Sequence, residues 1–179
     1  MKNKAIFLDR DGTINVDKGY VYKIEDFEFI PGAIEALRML QNKGYLLIVI
    51  TNQSGIARGY YSESDFQKLN SYMVSELKKE GVVISDVLYC PHLPDAPIAA
   101  YRKDCDCRKP KLGLFEKAIQ KWDIDLSKSY AVGDKERDLS ICLNSNCKGI
   151  LLKNNKKGYL SSKYFFSSKN WRSISKFIE

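Results

Sequence analysis

Five short apolar runs constrain this 179-residue chain more than any other feature. Ala5–Leu8, Leu46–Thr51, Ile84–Tyr89, Ser129–Val132 and Gly149–Leu152 read as buried strands. Stretches of helical spacing separate them. Pro31-Gly32 opens AIEALRMLQNKG, where Ile34, Leu37 and Leu40 recur at helical spacing and Gly44 is the C-cap. A second helix begins at Ser62 as N-cap and ends at Gly81. Lys111–Trp122 and Arg137–Asn146 are two further helices. Strands alternating with helices of this length build βαβ units around a parallel sheet. The expected fold is α/β, one domain over residues 1–179, because no linker, repeat or low-complexity tract divides the chain.

Two segments break the rhythm. Thr13–Ile30 and Cys90–Lys109 are long connections, and long loops in a compact domain usually serve function. The longest apolar run, Tyr45–Ile50, is far below the ~20 residues of a membrane span. MKNKAIFLDRDG lacks the apolar core of a signal peptide, so a cytoplasmic monomer without membrane association is expected. The net charge of +7 hints at nucleic acid until it is located. Lys148–Glu179 holds eight basic residues and one acid, leaving residues 1–147 balanced at 21 of each. That segment reads as a solvated Lys-rich edge with interleaved core aromatics, and nucleic acid is not an expected partner.

Polar groups follow the strands at the ends where open α/β sheets bind ligands. Asp9 and Asp11 follow the first, in AIFLDRDGTIN. Thr51-Asn52-Gln53-Ser54 follow the second, and Gly133-Asp134-Lys135 with Asp138 a later one. Arg108-Lys109-Pro110 precedes a helix. A lone D-x-D is as easily a solvated turn, but four such clusters at strand ends point to a site. Carboxylates suit Mg²⁺. An EF-hand does not fit, because Gly12 is fourth and Tyr20 twelfth in the loop. Asp9 is then a nucleophile for phosphorus and Asp11 a general acid and base. Thr51 and Lys109 hold the transferring phosphoryl oxygens. Arg108 and Lys135 exceed what one phosphoryl group needs, which suggests a second phosphate. Tyr20, Asn52, Gln53 and Ser54 offer hydrogen-bonding groups for a polyol.

Cys90-Pro91-His92, twelve further residues, then Cys105-Asp106-Cys107 supply three thiolates and the only imidazole of the chain. This is a Cys₃His set for a structural Zn²⁺ that pins the long loop. Cys142 and Cys147 read as ordinary buried thiols.

With FLDRDGT, Thr51, Lys109 and Gly133-Asp134 in that order, the chain resembles the haloacid dehalogenase (HAD) phosphatases over nearly its whole length. The resemblance implies a Rossmann-like three-layer sandwich, a mostly parallel central sheet, no large cap domain and an aspartyl-phosphate intermediate. It implies Asp9 as nucleophile, Asp11 as acid/base, Thr51 and Lys109 on the phosphoryl group, and Asp9, Asp11 and Asp134 as Mg²⁺ ligands.

A narrower resemblance follows from DKGYVYKIEDFEFIPG, TNQSGIARG, the CPH…CDCRKP loop and GDK. These are similar to the D-glycero-D-manno-heptose-1,7-bisphosphate 7-phosphatase family, which acts in nucleotide-activated heptose synthesis for lipopolysaccharide or surface glycans. The likeness implies that Asp17, Lys18, Gly19, Tyr20, Asn52, Gln53, Ser54, Arg108 and Lys135 contact a small phosphorylated sugar. Histidinol-phosphate phosphatases share most of this pattern, but the twelve-residue spacing of the zinc loop fits the heptose enzymes better. After Asp138 the family's small residues are replaced by Ser140, Cys142, Asn144 and Asn146, which a shifted sugar preference would also produce. A polynucleotide 3′-phosphatase is a further alternative. A zinc-stabilised nucleic-acid-binding module leaves Asp9, Asp11 and Asp134 unexplained.

Overall fold

The computed structural model of the chain describes residues 2–152 and 165–178. A six-stranded sheet runs β3-β2-β1-β4-β5-β6, with every neighbouring pair parallel. The strands are β1 (Lys4–Leu8), β2 (Tyr45–Asn52), β3 (Asp86–Cys90), β4 (Tyr130–Gly133), β5 (Lys148–Leu152) and β6 (Phe165–Ser168). Helices α1 (Ala33–Asn42), α2 (Ser54–Ala57), α3 (Glu63–Lys79), α4 (Gly113–Trp122) and α5 (Trp171–Phe177) connect or flank them. Among the described residues no helix is long and apolar enough to cross a membrane.

The period of two along β1 explains its unbroken apolar run. Ile6 and Leu8 face one core with Leu37, Leu40 and Trp171, whereas Ala5 and Phe7 face the other with Leu114, Phe115 and Ala118. Both sheet faces are therefore covered, giving the three layers expected. Ser62 caps α3 as the sequence suggests, in a reciprocal capping box with Asp65.

The order of strands fixes where the site lies. β1 pairs with β2 on one side and β4 on the other, so the chain leaves β1 in the crevice where the winding direction reverses. The carboxyl ends of β1, β2 and β4 carry Asp9, Thr51 and Asp134.

Three expectations need correction. Residues Arg137–Asn146 do not form an α-helix: a 3₁₀ segment spans Glu136–Cys142. Asp138 is the reason, since its carboxylate accepts from the Lys135 backbone N–H at 3.0 Å and pairs with Lys109 at 2.7 Å, tightening the turn toward the sheet. The third strand starts at Asp86 rather than Ile84. The carboxy-terminal segment is also more than a solvated edge, since β6 extends the sheet and α5 packs on α1. Trp171 is fully buried, and its indole N–H donates to the Thr13 carbonyl at 2.7 Å, in the turn after Asp11. Four of the lysines behind the basic reading, from 153 to 163, lie outside the described residues.

Candidate active site

Asp9 leaves β1 with its backbone N–H still donating to Val132 of β4, at 3.1 Å. The site is built around this fixed point. Lys109 Nζ lies 2.9 Å from Asp9 Oδ1 and 2.7 Å from Asp138 Oδ1, and donates to the Ile50 carbonyl at 2.7 Å. Burial opposes the Lys109 ammonium, yet Asp9 and Asp138 lift its pKa above the ordinary lysine value. Burial, reinforced by Asp138, raises the Asp9 carboxyl despite Lys109. The Asn52 carboxamide fixes the backbone of Lys109, exchanging two 3.0 Å hydrogen bonds with its N–H and C=O.

Asp9, Asp134 and Asp138 bring carboxylate oxygens within 4.8 Å of one another. Asp134 Oδ1 is buried without any hydrogen-bond partner. Gly12 makes its approach possible. It sits at φ +80°, and a Cβ there would lie 2.6 Å from the Asp134 carboxyl. Three carboxylates facing one buried ammonium leave negative charge, and an orphaned oxygen aimed into the group fits a hard divalent cation. Burial drives the Asp134 pKa up to about 6, opposed by Lys135 and assisted by Asp9 and Asp138. A raised carboxyl favours the metal-free fold when protonated. Its contribution is full below 3.8 and is lost as the pH rises through about 6. Mg²⁺ affinity therefore has the opposite slope. Calorimetric titration is expected to show binding about tenfold weaker at pH 5 than at pH 7.5. Equal affinities at the two pH values would contradict this assignment.

Asp11 is placed differently. Its carboxylate does not join the cluster but is held by Arg10, at 2.8–3.1 Å, by Asn15 at 3.0 Å and by Gln53 at 3.0 Å. Arg10 is buried to 1% exposure under Phe66. Thr51 is also buried, its hydroxyl accepting from Gln53 Nε2 at 3.0 Å.

Above these groups opens a polar cavity of about 340 Å³. Asp17, Gly19, Tyr20, Asn52, Gln53, Ser54, Arg108 and Lys135 line it, as the sequence suggests for the substrate contacts. Lys18 does not line it, because its ammonium pairs with Glu28 at 3.1 Å on the exposed side of the loop. Gln53 and Asn52 reach the cavity with their amides already engaged. Sequence reasoning overlooked Arg58, Tyr61 and Arg137, which line the same cavity. Among the described residues neither Arg58 nor Arg137 has a carboxylate partner. Burial, with Arg137 and Arg58 nearby, holds the Arg108 guanidinium below its ordinary pKa. Asp138 was visible as the second acid of G-D-K-x-x-D, and its pairing with Lys109 makes it part of the site.

Beside the cavity the long loop is drawn together by Cys90, His92, Cys105 and Cys107. The three sulfurs lie 3.0–3.4 Å apart, and His92 Nδ1 is 3.4 Å from Cys107 Sγ. All five cysteines are free thiols. Cys142 and Cys147 are buried in the α4-side core, as expected.

Comparison with known proteins decides the family. The chain is 55% identical over 140 residues to D-glycero-beta-D-manno-heptose-1,7-bisphosphate 7-phosphatase of Haemophilus ducreyi, covering 78% of this chain and 76% of that one. It belongs to the heptose-1,7-bisphosphate 7-phosphatase family. A second relative, D-glycero-alpha-D-manno-heptose-1,7-bisphosphate 7-phosphatase of Campylobacter jejuni, is 45% identical over all 179 residues and 98% of its own length. The family model described as Polynucleotide kinase 3 phosphatase matches residues 4–168. Among solved structures, D,D-heptose 1,7-bisphosphate phosphatase of B. bronchiseptica, complexed with magnesium and phosphate, superposes with a TM-score of 0.84. That pair shares 28% identity and aligns over 97% of each chain. The sheet and its flanking helices are those of the HAD-like fold.

Proposed function

We propose that the chain is a single-domain Mg²⁺-dependent phosphatase that removes the 7-phosphate of D-glycero-D-manno-heptose 1,7-bisphosphate. The observation that carries the reading is Asp9 and Asp11 at the end of β1, in a chain of this family, beside the Asp134 cluster and Lys109. An Asp9 oxygen attacks phosphorus, the P–O7 bond breaks, and Asp11 gives its proton to the departing O7. The ionised Asp11 then takes a proton from water as that water attacks the aspartyl-phosphate, releasing phosphate and restoring Asp9. Lys109 and Thr51 hold the phosphoryl oxygens through both steps. Mg²⁺ held by Asp9 and Asp134 would supply further positive charge to those oxygens.

The guanidiniums of the cavity support the bisphosphate. Arg108, flanked by Arg58 and Arg137, offers planar bidentate donors to the phosphate that does not react. Lys135, which pairs with Asp17 at 3.4 Å, and Tyr20 border the sugar between the two phosphates. The Cys₃His donors suit a structural Zn²⁺, since four protein ligands leave no open position. Free thiols throughout accord with work in the cytoplasm. The reading places the enzyme, as a monomer, in nucleotide-activated heptose synthesis.

Phosphate release measured on heptose bisphosphate, histidinol phosphate and a 3′-phosphorylated oligonucleotide tests the assignment. The bisphosphate is expected to lead in kcat/KM by at least about tenfold. A lead for histidinol phosphate or for the oligonucleotide would overturn it.

A further inference from the structure

Asp11 has to change protonation state twice in each turnover, so whatever holds its carboxylate governs the reaction. Arg10 holds it from below through the guanidinium. Gln53 holds it from the side, with Nε2 at 3.0 Å from Asp11 Oδ2 and 3.0 Å from Thr51 Oγ1. A carboxamide has two faces, and only its NH₂ is useful here. Turned over, Gln53 would set its carbonyl oxygen against the Asp11 carboxylate, acceptor against acceptor.

What keeps the amide the right way round is Tyr61. Its hydroxyl donates to Gln53 Oε1 at 2.6 Å, which orders the row Tyr61–Gln53–Asp11 with every donor facing an acceptor. The ring itself has little freedom. Tyr22 stacks on one face, centroids 5.1 Å apart with the planes 12° from parallel. Gly55 supplies the room, since a Cβ at that position would lie 2.1 Å from Tyr61 Cε1. Tyr61 is 7% exposed, so water does not compete readily for its hydroxyl.

We propose that Tyr61 is a positioning residue for proton transfer: through Gln53 it orients the Asp11 carboxylate toward the leaving oxygen and ties it to Thr51. Tyr61 touches neither substrate phosphorus nor the carboxylate cluster in this role. The proposal rests on the reading of Asp11 as acid and base. Its signature is dependence on the leaving group. A sugar alkoxide needs its proton as the P–O bond breaks, whereas p-nitrophenolate departs without one.

The test is Tyr61→Phe, which keeps the ring and its stacking, followed by rapid quench so that only leaving-group departure is timed. With heptose bisphosphate the departure rate is expected to fall about 10–100-fold, part of what general acid catalysis contributes. With p-nitrophenyl phosphate it is expected to fall no more than about threefold. Gln53→Met should slow departure of the sugar at least as much, and the double variant should be no slower than the slower single one, because both act through one carboxylate. An equal loss on both substrates would reduce Tyr61 to a packing role. Undiminished departure of the sugar, or additive losses in the double variant, would also overturn the proposal. Wild-type protein inactive on heptose bisphosphate would condemn the substrate assignment instead. The Tyr61 role is then judged by the same contrast between whichever alkyl phosphate is hydrolysed and the aryl one.

Discussion

Replacing Asp9 with Asn should lower phosphate release at least about 10⁴-fold while leaving the protein folded. The amide has the size of the carboxylate but no charge to attack phosphorus. Lys109 is not orphaned by the change, because Asp138 remains 2.7 Å from its ammonium. Burial and the neighbouring Asp138 raise the Asp9 pKa, so the ionised carboxylate is a strain on the metal-free fold. The variant is therefore expected to melt no lower than wild type without Mg²⁺. Phosphate assay and thermal melting read the two arms. Turnover within about tenfold of wild type would remove Asp9 from the role of nucleophile.

Stripping zinc should have the largest effect on stability. Metal analysis is expected to find about one zinc per chain. Its removal by chelation, or Cys105→Ser, should cost about 5 kcal/mol, a fraction of the ~10–16 kcal/mol seen where zinc alone folds a peptide. At about 2–4 °C per kcal/mol for a chain of this size, melting falls by about 10–20 °C. Activity should fall as well, for a local reason. Arg108 and Lys109 follow Cys107 directly, and the Cys90 carbonyl accepts from the Gln53 backbone N–H at 2.8 Å. Tyr89 and Tyr101, from β3 and the loop, both donate to Glu63 of α3, with Tyr101 at 2.8 Å. Zinc held there would anchor a loop that aims two cations of the site. Absence of zinc with melting unchanged by chelator would sink the assignment.

β1, β2, β4 and β5 were legible because they are covered on both faces, which writes a short apolar run. Helices with clean punctuation, such as α3 between Ser62 and Gly81, were legible for the same kind of reason. The 3₁₀ turn after β4 was not, since it is imposed by the Asp138–Lys109 pair across the molecule. Nor were β6 and α5, whose apolar residues are diluted by serine and lysine, although Trp171 is wholly buried. In the site, residues in contiguous motifs stood out: Asp9, Lys109 and Asp134 meet around one carboxylate group, Thr51 bonds to Gln53, and Cys90, Cys105 and Cys107 join in the thiol cluster. Lys18 lies off the cavity because Glu28, which the sequence alone does not place beside it, claims its ammonium. Arg58 was passed over although it lies within TNQSGIARG, and Tyr61 falls outside every motif. Their importance comes from three-dimensional neighbours, Arg108 for one and Gln53 for the other.

The bond from the Trp171 indole to the Thr13 carbonyl joins the last helix to the turn that carries Asp11. Along the chain, the brace of the catalytic turn comes 158 residues after the carbonyl it holds. Five strands can assemble earlier, as amino-terminal segments do while translation proceeds. The turn beside them gains this brace only when α5 docks. A chain cut before Trp171 would carry every catalytic motif and lack that clamp.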